Sequence, residues 1–326
     1  MTTKNDATSK TAVKVEGREL IISRSFHASR ELVFKAWTDP KHLPQWWGPK
    51  QFTTTVQEIN IQPGGVWRYV MHGPDGNDYN NKITFIKVES PEYLEYAHGD
   101  DTDDEQFRVT VTFGQEGQST QLTMRMQFKS IEELEQSVKQ YGAIEGAQST
   151  LDRLEVQLPK IMLTKAQGQA FMLERIFDAP KELVFKAFSE AEHLKNWWGP
   201  RGWTLTHCNV DFRPGGSWHY CMKCMDKNQG DFYGFESWGK AVYKEIAAGE
   251  KIVYVDYFSD AEGNESTELP PSEVILHFEE ADGKTIVRSQ SIFHSEEALK
   301  TVIDMGMEQG ITETWDRLAE HLQEVQ

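Results

Sequence analysis

Cys221-x-x-Cys224 has the spacing of a metal or redox site, because paired thiolates can hold zinc or exchange a disulfide. Cys208 and His219 would have to complete a set of four ligands. The pair falls on a predicted strand, 216–225, where a spacing of three sends side chains to opposite faces. A matching stretch earlier in the chain has Val70 and Gly73 at these positions, so the fold does not require the cysteines, and no metal or cofactor is expected. His277, Tyr233 and Glu236 offer an imidazole, a phenol and a carboxylate, which could transfer a proton if they converge; exposed strand positions are the simpler reading. Asp100-Asp101-x-Asp103-Asp104-Glu105 lacks the glycine and distal glutamate of a calcium loop and reads as a solvated hairpin loop. G-x-S-x-G, H-E-x-x-H, P-loop and dinucleotide-binding glycine signatures are absent, so no catalytic residue is assigned. Of ten histidines only His42 and His193 occupy matching positions in the two halves, beside tryptophans, where a helix-end role fits better than acid–base work.

The residues point more clearly to binding. Trp67, Tyr69 and Met71 alternate along a predicted strand and share one face, as do Trp218, Tyr220 and Met222. Together with Phe113 and Tyr141 in the first half, they are candidate lining for an apolar cavity. Tyr233, Trp238, His277, Phe293 and Met305 are the further candidates in the second half. A filled core is the competing reading. The second half is the better candidate for a specific ligand. It has a seven-residue excess between Met222 and Lys240 relative to Met71 and Lys82, and it holds all three cysteines.

What positions these residues is a duplication. Arg24–Pro49 and Arg175–Pro200 match at a constant offset of 151, with 15 of 26 positions identical. The register continues through Pro63-Gly64-Gly65-x-Trp67 and Pro214-Gly215-Gly216-x-Trp218. It returns as Gly142-x3-Gly146-x5-Asp152-Arg153-Leu154 and Gly306-x3-Gly310-x5-Asp316-Arg317-Leu318. A period of about 150 residues is the size of a whole domain. The first half reads as a strand at 18–26, two short helices, six strands and one long helix from Ser130, whose Ser130-x-x-Glu133 is a capping box. The second half repeats that order, with its long helix starting at Ser295. An antiparallel sheet must bury one face, and the long amphipathic helix is its only large apolar partner, so the expected class is α+β with each sheet curved around its helix. The glycine pairs 142/146 and 306/310 fall inside that helix at a cost of roughly 1 kcal/mol each, which predicts a close neighbour, a strand before a ligand. The Trp-Trp-Gly-Pro segments read as packing plugs before cavity rims.

R-x-F-x-A-x-x-E-x-V-F-x-A, W-W-G-P, P-G-G-x-W-x-Y-x-M and D-R-L occur in both halves. On these motifs each half resembles the Hsp90-ATPase-activator-homologue-like domains of the START/Bet v 1 (SRPBCC) helix-grip superfamily. Relatives often place Trp after the second glycine of the closing helix, where this chain has Ala147 and Ile311. The resemblance implies two tandem helix-grip domains, and the expected division is a flexible tail over 1–16, then domains over 17–160 and 161–326. Net charge is −17, and counting residues gives 18 basic and 23 acidic in 1–160 against 16 and 28 in 161–326. That balance disfavours nucleic acid and anionic membranes as partners. No apolar run approaches the ~20 residues needed to span a bilayer, and three cysteines form no disulfide framework, so a cytoplasmic protein is expected. The expected function is non-catalytic binding of a hydrophobic small molecule: a lipid, polyketide or aromatic metabolite. A protein-interaction module of co-chaperone type, or a cyclase- or hydrolase-type enzyme, is the alternative.

Overall fold

Leu20, Ile22 and Phe26 are buried on alternate positions of one strand, and Phe171, Leu173 and Phe177 repeat this 151 residues later. Such a period of two buries one face of a sheet. In a computed structural model, which describes residues 11–326, this face closes a separate core in each of two units. The first ends at Ile161 and the second begins at Met162.

The first unit contains β1 (Thr11–Glu16), β2 (Glu19–Phe26), α1 (Arg30–Thr38), α2 (Leu43–Trp46), β3 (Thr53–Ile59), β4 (Val66–His72), β5 (Asp78–Glu89), β6 (Tyr93–Gly99), β7 (Phe107–Glu116), β8 (Ser119–Phe128), α3 (Ile131–Tyr141) and α4 (Ala143–Gln157). Its sheet runs β1-β2-β8-β7-β6-β5-β4-β3, antiparallel throughout. The second unit contains β9 (Leu163–Gln167), β10 (Ala170–Phe177), α5 (Lys181–Ser189), α6 (Ala191–Trp197), β11 (Trp203–Val210), β12 (Ser217–Cys224), β13 (Glu236–Ala247), β14 (Lys251–Phe258), β15 (Ser272–Ala281), β16 (Lys284–Ile292), α7 (Glu296–Asp304) and α8 (Met307–Glu324). Its strands follow the same order, from β9 at one edge to β11 at the other. These are two α+β helix-grip domains in tandem. Each sheet carries two bulges: Phe85/Lys87 and Tyr243/Glu245 at matching places, and Val56/Glu58 and Leu205/His207 on matching strands but two residues apart. An extra residue on one strand bends it and increases its twist, which curves each sheet over its helices.

Three expectations need correction. Residues 11–16, expected in a flexible tail, form β1 against β2; residues 1–10 of that tail lie outside the described residues. Each closing helix is two helices, because Gly142 and Gly306 take φ of +62° and +91°, a conformation glycine adopts freely and other residues rarely do. The close neighbour predicted for the second glycine is also missing. A Cβ on Gly146 would meet only Pro49, at 3.7 Å, and one on Gly310 would meet nothing within 4 Å. The expected cap at Ser130 is present, since its side chain accepts from the backbone N–H of Glu133, and Ser295 accepts in the same way from Ala298.

Candidate functional site

The repeated motifs hold one another. The buried Arg24 guanidinium pairs with Asp152 (2.6 Å) and Glu155 on α4, and Arg175 pairs with Asp316 (2.6 Å) on α8. The next residue of D-R-L clasps the Trp-Trp-Gly-Pro turn. Arg153 donates to the carbonyls of Gly48 (2.9 Å), Pro49 (3.0 Å) and Gln45 (3.1 Å). Arg317 donates to those of Gly199 (2.7 Å), Trp203 (3.0 Å) and Asn196 (3.2 Å). Leu154 and Leu318 complete the motif as fully buried core residues. Within the turn the first tryptophan is the plug: Trp46 and Trp197 are fully buried and donate to the carbonyls of Ala36 and Ala187. The second tryptophan, Trp47 or Trp198, is thereby held facing the interior, and here the two domains diverge.

In the first domain aromatic rings pack against one another at this place. Trp47 Nε1 donates to Tyr69 Oη at 2.8 Å, and Tyr69 Oη lies 3.3 Å from His98 Nε2. Since the hydroxyl accepts from the indole, its proton is free for the imidazole. Burial lowers the His98 pKa to about 4, so the ring is neutral and accepts it. Phe107 lies between His98 (ring centroids 4.6 Å, stacked) and Phe128 (5.0 Å). Trp67 stacks on Tyr69 at 4.2 Å, and Phe113 packs edge-on to Trp37.

In the second domain strand register puts Asp256 at the position of His98 and Ser272 at that of Phe107, since both pairs face each other across their strands. Phe293 stands where Phe128 does. The exchange of a phenyl ring for a hydroxymethyl group accompanies a cavity of about 370 Å³, lined by Trp198, Tyr220, Met222, Phe258, Phe293, Val302 and Ile311 among others. Ser272, Asp256, Ser237 and Thr314 supply its polar atoms, and Met305, Gly306 and Gly310 border it; the open space beside Gly310 is therefore pocket. Tyr220 has been drawn away from the tryptophan. Its hydroxyl donates to Asp256 Oδ1 at 3.3 Å, while Trp198 Nε1 is buried without a partner. Gly239 permits this placement, because a Cβ there would lie 2.3–2.4 Å from the end of the Tyr220 side chain; the equivalent residue beside Tyr69 is Asn81. Burial raises the Asp256 pKa from 3.8 to about 7, outweighing the Tyr220 hydrogen bond that lowers it.

The expected lining residues therefore separate into groups. Tyr220, Met222, Trp238, Phe293 and Met305 line or border the second-domain pocket, with the Trp238 ring itself stacked on His219. Trp218 is buried behind Trp198, at 4.6 Å. Trp67, Tyr69 and Phe113 are core in the first domain, and Met71 packs against Gly48. Tyr141, at the end of α3, is 74% exposed, because the break at Gly142 ends the helix before that side chain is covered. His277 is exposed on the outer face of β15, one position out of phase with buried Leu276 and Phe278. Tyr233 sits 49% exposed on the turn before β13 and does not meet His277 in a cavity. Cys208, Cys221 and Cys224 are free thiols, and no cluster of three or more His, Cys, Asp or Glu among the described residues is placed to hold a metal.

Sequence reasoning missed Asp256 and Ser272. A signal for Asp256 existed: in KIVYVDYF it shares the inward phase with Ile252 and Tyr254, and an acid in that phase stands out.

A family model described as Activator of Hsp90 ATPase homolog 1-like protein matches residues 27–158 and 178–323. No curated protein matches the chain. Among solved structures the chain is similar to a Staphylococcus epidermidis protein (30% identity, 51% of this chain and 96% of that one, TM-score 0.44). It is also similar to one from Mycobacterium smegmatis (29%, 45% and 96%, TM-score 0.43) and one from Arthrobacter aurescens (24%, 46% and 92%, TM-score 0.42).

Proposed function

The chain belongs to the family of Activator of Hsp90 ATPase homolog 1-like proteins, and we propose that within this family its second domain serves as a binding module for a hydrophobic small molecule, such as a lipid, polyketide or aromatic metabolite, without converting it. The observation that supports this is the cavity of about 370 Å³ beside Ser272, where the first domain carries Phe107. Its size is within the range of small-molecule sites, which are apolar with a few polar groups that fix orientation. Burial of ligand surface there supplies affinity at roughly 25 cal/mol per Å². The first domain, whose aromatic rings pack at the matching place, acts as scaffold. No helix among the described residues is long and apolar enough to cross a membrane, and three free thiols fit a reducing compartment such as the cytoplasm.

A second reading, a protein-binding module, is supported by one observation. Met225, Phe232, Tyr233 and Phe235 are all about half exposed on the turn that is longer in the second domain, and grouped exposed aromatics suit partner contacts. Stimulation of an Hsp90 ATPase by the full chain tests it.

The primary reading is tested with N-phenyl-1-naphthylamine, a neutral fluorescent ring probe, titrated into the full chain and into Ser272→Phe. The replacement restores the ring found in the first domain. Loss of about 1–3 kcal/mol of buried contact weakens binding about 5- to 150-fold. Equal affinity in the two proteins, or no binding by either, overturns the proposal.

A further inference from the structure

Asp256 is the one carboxylate in the wall of the second-domain pocket, and among the described residues no Lys, Arg or His pairs with it. The groups around it are phenols, hydroxyls and apolar side chains, all uncharged. Tyr220 comes from β12, Tyr243 from β13 and Tyr254 from its own strand. β15 presents Ser272, the segment after β16 presents Phe293, and α8 presents Met307, Ile311 and Thr314. None of these brings a positive charge. A carboxyl in such a site is either kept neutral or satisfied by a cation that arrives from outside. The walls suit the second course, since Trp198, Tyr220, Phe258 and Phe293 contribute aromatic rings to the lining and a cation over an aromatic face is attracted to it. The half carries 28 acidic against 16 basic residues, which raises the local concentration of cations at its surface.

We propose that the second-domain pocket takes a monocationic ring-bearing amine, its ammonium group on the Asp256 carboxylate and its ring against Trp198, Phe258 and Phe293. This rests on the binding function proposed above. Tyr220 serves as a positioning residue: its hydroxyl fixes the carboxyl, and Gly239 leaves the room that this requires. An anionic ligand is excluded by like charge beside Asp256, and a neutral one leaves the carboxyl without a counter-charge. Because the free carboxyl holds its proton up to about pH 7, uptake of an ammonium ion below that pH must expel one proton, so affinity for the amine rises with pH.

The experiment compares 2-(1-naphthyl)ethylamine with its near-isostere 2-(1-naphthyl)ethanol, by calorimetry on the full chain at pH 5.5 and 8. At pH 8 the amine binds about tenfold or more tighter than the alcohol, and at pH 5.5, about 1.5 units below the Asp256 pKa, proton competition cuts amine binding about thirtyfold, so a tenfold preference is lost. Asp256→Asn removes the preference and retains the alcohol, which shows that the variant is folded with its pocket open. Tyr220→Phe weakens the preference and raises the pH at which it is lost, because the hydrogen bond that favours the carboxylate is gone. Alcohol binding equal to amine binding in the parent protein, or an unchanged preference in Asp256→Asn, overturns the inference and leaves the pocket reading intact. Failure of both probes to bind overturns both.

Discussion

Replacing Asp256 by Asn should remove a pH dependence from the stability of the second domain. The native carboxyl titrates at about 7, against 3.8 for an ordinary aspartate. Between those values the folded state holds a proton that the unfolded state has lost, so folding stability falls as pH rises through that window. The contribution is fully present below about pH 4 and gone above pH 7. A shift of about three units at about 1.4 kcal/mol each amounts to about 4 kcal/mol. Water entering the pocket reduces this, to about 2–4 kcal/mol. Asparagine keeps an acceptor for the Tyr220 hydroxyl and carries no charge, so the variant lacks the slope. The chain has two domains, and a single unfolding midpoint would mix them. Native-state amide hydrogen exchange in β14 and β16 isolates the second domain, and the ratio of variant to parent at each pH cancels the intrinsic exchange rate. Protection in Asp256→Asn relative to the parent should rise steadily from pH 4 to 7 and then level off. A ratio that stays constant across that range refutes the reasoning, because it would mean that the carboxyl is solvated and ordinary.

Two further outcomes follow from the closing helices and their clasp. Gly310→Ala should stabilise by about 1 kcal/mol through helix propensity, since no atom lies within 4 Å of the added methyl. Gly306→Ala should destabilise by about 1 kcal/mol or more, because φ of +91° is strained for any side chain; thermal melts of the two variants should shift in opposite directions. Arg153→Ala removes every bond that the guanidinium makes to the turn at Gln45, Trp47, Gly48, Pro49 and Phe52, and at about 1–3 kcal/mol for stranded buried acceptors the first domain should lose about 2–4 kcal/mol. Unchanged exchange protection in β3 and β4 of that variant would show that water replaces the clasp without loss.

The duplication, the order of elements and the two-domain α+β class could be read from the sequence because repeated motifs and alternating burial are local and survive copying. The D-R-L and W-W-G-P motifs could be read as conspicuous but not explained: their partners are over a hundred residues apart, and only the fold shows Arg153 on the carbonyls of one turn and Arg317 on those of the other. The breaks at Gly142 and Gly306 were accessible in principle. Each glycine follows an apolar helical stretch, the position where a left-handed cap ends a helix, but the spacing of four to the next glycine read as two residues on one helical face. β1 was hidden by composition, since TAVKVE lies mostly exposed at a sheet edge and carries little apolar signal.

The site was less legible than the fold, for a reason the two copies make plain. Trp218, Tyr220 and Met222 alternate as Trp67, Tyr69 and Met71 do, so the stripe that drew attention is common to both domains and cannot tell a filled interior from an open one. The difference lies in residues that no stripe marks: Ser272 for Phe107, Asp256 for His98 and Gly239 for Asn81. Each is unremarkable alone. Removing the ring of Phe107 gives volume, and removing the side chain of Asn81 lets Tyr220 turn from the indole to the carboxyl. The carboxyl itself then stands in that volume without a counter-charge. Volume, orientation and charge change together at one place, while the surrounding clasp of Arg317, Asp316 and the tryptophan turn stays as it is in the first domain. A domain that had only drifted would lose core rings at scattered positions. Here the three exchanges sit on adjacent strands, Gly239 on β13, Asp256 on β14 and Ser272 on β15, and that convergence favours the proposed binding site over an imperfectly packed core.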